Sequence, residues 1–195
     1  VTDLIPITAL GTPGGTQPQR ARFGALHLAE DDSMGLASFS LRRGQGAPQA
    51  VALPGPGGFL GGFAQGQGIG ALWMAPDQWL ILGTGQALGD FAAQVAVLLP
   101  GGCVTDQTDA WAGIEITSDA GPGPIEALMS KLVNIDLAGF GPGRATRTGL
   151  EHMSVFVLRR SESQIAVLGM RSAAASLWHA LTTAAARLDH ARGTA

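Results

Sequence analysis

The chain has 195 residues, of which 46% are hydrophobic and 14% charged, with a formal net charge of −3. That length allows one large domain or two small, closely packed subdomains, and the apolar share is ample for a core. Charge falls well below the ~25% of an average soluble domain, as in a subunit partly covered by others, and no basic face is offered to nucleic acid.

Residues 11–20, GTPGGTQPQR, form a polar Gly/Pro tract that reads as the end of an extended arm over 1–20. RFGALHLAE (22–30) and MGLASFSLRR (34–43) read as two strands joined by the acidic turn Asp31–Asp32; in the second, Leu36, Phe39 and Leu41 alternate with serines, with one break in phase. Residues 44–70 are glycine-rich, with a short helix expected across APQAVALPG and irregular loop elsewhere. GALWMA (70–75) and QWLILG (78–83) are apolar strands around the corner Pro76–Asp77, where aspartate can close the turn with its side chain. In 86–100, apolar residues at 88, 91, 92, 95, 98 and 99 form an amphipathic helical stripe that places Asp90 inside the helix.

CVTDQT and WAGIEITS are short strands. GPIEALMSKLVNIDL is a second helix, entered through Pro124 at its first position. ATRTGLEH, MSVFVLRR and QIAVLGM are strands, and a last helix starts at the N-cap Ser172 and runs through Leu177, Trp178 and Leu181 towards Leu188. The order is β-β-(α)-β-β-α, then β-β-α-β-β-β-α. Strand groups separated by single helices predict an α+β fold with helices packed on antiparallel sheets. The globular part, 21–195, divides into subdomains near 21–102 and 103–195. The second half reads as a fuller version of the first, without a residue-level repeat.

One stretch imitates a nucleotide motif. In AQGQGIGALW, Gly66, Gly68 and Ala71 fit G-x-G-x-x-G/A. That motif has a mechanism only where a buried strand enters it and a helix leaves it. Here GGFLGGFAQ does not read as a buried strand and a strand follows, so a plain loop is the better reading. His27, His152, His179 and His190 are scattered and have no i, i+4 partner for a metal. Cys103 is the only cysteine, so an intrachain disulfide is excluded, and it reads as a small buried core residue. Asp106 and Asp109 share a turn in TDQTDAW, where capping of backbone amides is the simpler role than acid–base work. Trp73, Trp79 and Trp111 fit a flat ligand but suit core or interface anchoring better, with Trp79 and Trp111 largely buried. Arg144, Arg147 and Arg171 are able to clamp a carboxylate or to pair with the acidic turns. The opening VTDLIPITALG lacks the features of a signal peptide and no run reaches the ~18 apolar residues of a membrane span, so a cytoplasmic chain without a membrane segment is expected.

WMAPDQWLIL, VTDQTDAW, RATRTGLEHMSVFVLRR and VLGMRSAAASLWHAL, with the N-terminal ITALG and GLASFSLRRG, resemble one family: the gamma subunit of heterotetrameric sarcosine oxidase. The resemblance runs through nearly the whole chain, loosest over 44–70. It implies a duplicated β-β-α-β-β-β-α unit similar to the folate-binding domain of the glycine-cleavage T-protein. It also implies a structural subunit, partnered by alpha, beta and delta chains, of a complex that oxidatively demethylates sarcosine to glycine and releases hydrogen peroxide. FAD, FMN and NAD are then held by the alpha and beta subunits, the one-carbon unit passes to tetrahydrofolate, and the gamma chain holds no cofactor. The family supplies no catalytic motif, so Trp73, Asp77, Trp79, Asp106, Asp109, Trp111, Arg147 and Arg171 are candidates only for an interface or a vestigial pocket. Two other functions stay open: a stand-alone folate-dependent aminomethyltransferase, which would use Glu115 or Asp106, and a folate-binding module of another complex. An exposed apolar surface for the large subunit is expected to include part of the arm and of the 44–70 loop.

Overall fold

The computed structural model describes residues 6–11, 17–48, 53–64 and 68–193. In chain order they form β1 (Arg20–Phe23), β2 (Leu26–Asp31), β3 (Gly35–Leu41), β4 (Phe59–Ala64), β5 (Ile69–Ala75), β6 (Gln78–Gly83), α1 (Phe91–Leu98), β7 (Gly102–Asp106) and β8 (Trp111–Ser118). Then come α2 (Gly123–Leu132), β9 (Ala145–Leu150), β10 (Met153–Ser161), β11 (Gln164–Met170) and α3 (Ala174–Gly193). The strands make two sheets, ordered β1-β2-β8-β11-β10-β9 and β4-β5-β6-β3-β7. Every neighbouring pair is antiparallel. This is the α+β architecture that the element order predicts.

The layers follow from side-chain alternation. Leu36, Leu72, Leu80 and Leu82 of the five-stranded sheet meet Phe156, Leu158 and Leu168 of the six-stranded sheet in a central apolar layer. The opposite face of the six-stranded sheet, with Leu28, Ile114, Ile116, Val155, Val157 and Val167, is covered by Ile125, Leu128 and Met129 of α2 and by Leu177 and Leu181 of α3. The outer face of the five-stranded sheet, with Phe39, Ile69, Trp79 and Ile81, is covered by Phe91 and Val95 of α1. Strands buried on both faces read as continuous apolar runs, which explains the break in phase along β3.

The chain is built from two similar units. One is β2-β3-β4-β5-β6-α1; the other is β7-β8-α2-β9-β10-β11-α3. Each sends its first strand into the other's sheet: β2 pairs with β8, and β7 pairs with β3. The turn after Asp31 therefore joins two strands of different sheets rather than closing a hairpin. At the residue level the likeness is local: QWLILG of β6 and QIAVLG of β11, which share their Gln, Leu and Gly, stand at the same place in their units. The glycine closing each lets the next helix lie close. A Cβ on Gly169 would come within 2.9 Å of Leu177, and one on Gly83 would strike the ring of Phe91.

Several boundaries differ from the sequence reading, each for a local reason. RFGALHLAE is broken at Gly24, whose φ of +54° turns β1 back onto β2. Part of the 44–70 loop is the strand β4, paired with β5; of the helix expected at 47–55, residues 49–52 lie outside the described residues and 47, 48 and 53–55 are not helical. The first helix begins only at Phe91. Asp90 is its N-cap, accepting the Ala93 N–H at 2.9 Å, and Leu88 points away from the core at 87% exposure. In α2 Pro124 takes the second position, after Gly123, rather than the first, and the helix stops at Leu132 because Val133 turns extended and bridges Leu150. Ser172 lies within a 3₁₀ turn, Arg171–Ala173, that precedes α3. Cys103 is exposed rather than buried, since β7 is an edge strand with little packed on that side.

Candidate functional site: a cavity where the two crossovers meet

The β2–β3 and β7–β8 connections pass each other between the sheets. Each starts from an aspartate that caps the turn. Asp31 Oδ1 accepts the Ser33 N–H at 3.0 Å, and Asp106 Oδ1 accepts the Thr108 N–H at 2.9 Å. Thr108 also ties the crossovers together, its Oγ1 accepting the Leu36 N–H at 3.1 Å while Gln107 N–H donates to Leu36 O at 2.8 Å. Asp106 is thus engaged in turn chemistry, as its spacing suggests.

A cavity of about 490 Å³ opens at this crossing. Its walls are residues 6–9, the corner from Glu30 to Met34 with Leu36, then Gly85, Ala87 and Leu88, the pair Thr108–Asp109 with Trp111–Gly113, and Arg171. That volume lies in the range of ligand pockets, and the mixture of apolar surface with a few polar groups is typical of them. The N-terminal segment is held over it from two sides. The buried Glu30 carboxylate accepts the Leu10 N–H at 2.9 Å and the Gln19 N–H at 3.1 Å. Arg171 Nη2 donates to Ile7 O at 2.8 Å, and its Nη1 stands 3.8 Å from Asp109 Oδ1. Asp109 is almost fully exposed, so that ion pair contributes little. Trp111 lies partly buried in the wall, its ring tilted against Phe156 with centroids 5.5 Å apart. Thr8 Oγ1 is buried in the same wall with no hydrogen-bond partner among the described residues.

Of the candidates, Asp109, Trp111 and Arg171 converge here, with Asp106 one turn away. The others do not. Trp73 and Trp79 are cross-strand neighbours on the outer face of the five-stranded sheet, and Trp79 Nε1 donates to Pro54 O at 2.8 Å. Asp77 occupies the β5–β6 turn with φ of +58°; the corner rests on that left-handed backbone, which aspartate tolerates better than most residues. Arg147 lies on β9, donating to Ser154 Oγ at 2.8 Å with its guanidinium 5.7 Å from the Phe156 ring. Arg144 is an exposed loop residue. Glu115 is taken by Arg160 Nε at 2.7 Å and Gln164 Nε2 at 3.0 Å. His27 contacts Asp119 Oδ2 at 2.7 Å, and this hydrogen bond, helped by the charges of His27 and Arg22, holds the Asp119 carboxyl below its ordinary range. Among the described residues no His, Cys, Asp and Glu cluster could hold a metal, and no helix is long and apolar enough to cross a membrane.

The sequence reading missed Thr8, Glu30, Asp31 and Leu88. A buried glutamate in an alternating strand was the available signal for Glu30. For the G-x-G-x-x-A stretch, β4 precedes it and β5 follows it, so the helix that the dinucleotide motif requires is replaced by a strand; Gly66 itself lies outside the described residues.

No protein-family model and no curated protein matches the sequence. Among solved structures, the chain is similar to one chain of heterotetrameric sarcosine oxidase from Corynebacterium sp. U-96, determined in complex with pyrrole 2-carboxylate. The likeness has a TM-score of 0.70 at 20% identity and covers 87% of this chain and 88% of that one. The two share a fold. The regulatory subunit of aspartate kinase from Thermus thermophilus, ligand-free, covers 80% of this chain and 96% of its own at 16% identity, with a TM-score of only 0.38.

Proposed function

We propose that this chain is the gamma-type subunit of a heterotetrameric sarcosine oxidase, a non-catalytic component that assembles with alpha, beta and delta chains. The carrying observation is the fold shared with a chain of such an oxidase over nearly the full length of both. The sequence blocks around Trp73, Asp106 and Arg171 add to this. FAD, FMN and NAD then belong to the alpha and beta subunits, and tetrahydrofolate receives the one-carbon unit outside this chain. The engagement of Glu115 by Arg160 and Gln164, and of Asp106 by a backbone amide, disfavours a folate enzyme acting alone, because its two candidate carboxylates are already occupied.

Co-expression with candidate alpha, beta and delta chains, followed by capture on this chain, tests the reading. Recovery of all four chains in equal amounts with sarcosine-dependent peroxide formation is expected. Assembly of the other three into a fully active oxidase that excludes this chain would contradict it, as would tight tetrahydrofolate binding by the chain alone.

A further inference from the structure

The cavity at the crossovers has a feature that a pocket for a small polar molecule does not need: its apolar surface continues over the rim. Ile7 and Leu88 line it and remain 47% and 87% exposed; Met170, next to the lining residue Arg171, is 47% exposed. The only other exposed large apolar residues among the described ones are Leu60 and Val97. Leu88 is not on a loose tip. Its neighbours are pinned by Ala87 N–H to Ser33 O at 3.0 Å and Gly89 N–H to Gln86 O at 3.2 Å. Holding a leucine in water on an anchored segment is costly unless something covers it. Inside the mouth, Met34, Leu36, Trp111 and Ala112 offer an apolar floor.

The charge at the mouth is one-sided. Asp31, Asp32 and Asp109 face a single cation, Arg171, which is already engaged by Ile7 O and Asp109. Asp32 makes no hydrogen bond or ion pair among the described residues, and Thr8 Oγ1 lacks a partner in the wall. Apolar contact combined with an unneutralised acidic rim selects a ligand that is apolar at one point and basic beside it.

Resting on the subunit reading above, we propose that this cavity is the docking site for a segment of the large partner subunit that carries an apolar side chain beside a lysine or arginine. The apolar side chain enters between Leu88, Ile7 and Trp111. The basic group meets Asp32 and Asp31.

The test uses the full chain and three variants, Leu88→Glu, Asp32→Lys and Val97→Glu, each co-expressed with alpha, beta and delta chains and captured through a tag on alpha. Leu88→Glu should weaken retention at least about tenfold, the loss expected when a buried leucine contact is replaced by a carboxylate. Asp32→Lys should weaken it about three- to tenfold and flatten its dependence on salt. Val97→Glu, equally exposed but outside the cavity, should be retained like the unaltered chain. Circular dichroism should show unchanged melting for all three, since the substituted side chains lie on the surface. Retention of Leu88→Glu at the unaltered level, or an equal loss with Val97→Glu, would overturn the site. An unchanged salt slope with Asp32→Lys would overturn the basic partner. Self-association abolished by Leu88→Glu without any change in capture would assign the cavity to a second copy and overturn the proposal. If the unaltered chain is captured and the variants behave identically, only this site falls; if the unaltered chain is never captured, the subunit reading falls and the site with it.

Discussion

The two sheets share a topology but not a cover. The six-stranded sheet lies under α2, of 10 residues, and α3, of 20, whereas the five-stranded sheet lies under α1, of 8. The thinner side makes up the difference with close contacts: the Phe39 ring sits where a side chain on Gly102 would be, and the 53–58 segment is tied down by Trp79 Nε1 on Pro54 O. The strand exchange makes this tolerable, because each sheet contains a strand from the other unit and neither can separate without breaking a paired edge. Unequal cover on a shared frame therefore gives one firm outer face and one that relaxes more easily.

Core truncation should expose that difference most strongly. Leu181→Ala, on the inner face of α3, should cost about 3–5 kcal/mol, and Leu99→Ala, at the end of the short α1, about 2–3 kcal/mol because the surroundings can collapse. Chemical denaturation measures both, and equal losses would remove the asymmetry. Next, Trp79→Phe deletes the hydrogen bond to Pro54 O and should cost about 1–2 kcal/mol while making the 53–58 segment a preferred site of limited proteolysis; unchanged cleavage would show that this contact does not hold the cover. Asp90→Ala should cost about 1 kcal/mol through loss of the α1 cap, whereas Ser172→Ala, inside the 3₁₀ turn, should change stability by less than about 0.5 kcal/mol. A larger loss at Ser172 would restore the cap read from the sequence.

The smallest effect concerns pH. Asp119 is bonded to His27 and its carboxyl is held below the ordinary range, so its stabilising contribution is present above the unfolded carboxyl pKa and is lost as pH falls through the lower, folded value. The pair is exposed and the contribution small. A carboxyl NMR titration should place the Asp119 midpoint below that of a free aspartate, and His27→Ala should raise it.

Much of this frame was legible because it is locally encoded. GALWMA and QWLILG, the pair MSVFVLRR and QIAVLGM, and the proline-led α2 all announce themselves through apolar runs and turn residues. The strand exchange was not, because Asp31–Asp32 looks the same whether the next strand folds back or crosses to another sheet; only the distant partners β8 and β7, about sixty to ninety residues along the chain, decide it. Leu88 fitted a helical stripe by spacing, yet the glycines on either side and the cap at Asp90 start the helix after it. The cavity was half legible: Asp109, Trp111 and Arg171 were singled out as residues, while Thr8, Glu30 and Leu88 meet them only through the crossovers.

Hydrogen exchange of this chain, alone and mixed with the other three subunits, tests the account most directly. Amides at 7–10, 85–90 and 107–113 should slow at least about tenfold in the assembly, with the central strands of both sheets unchanged. Exchange identical with and without the other subunits throughout the chain would contradict the account.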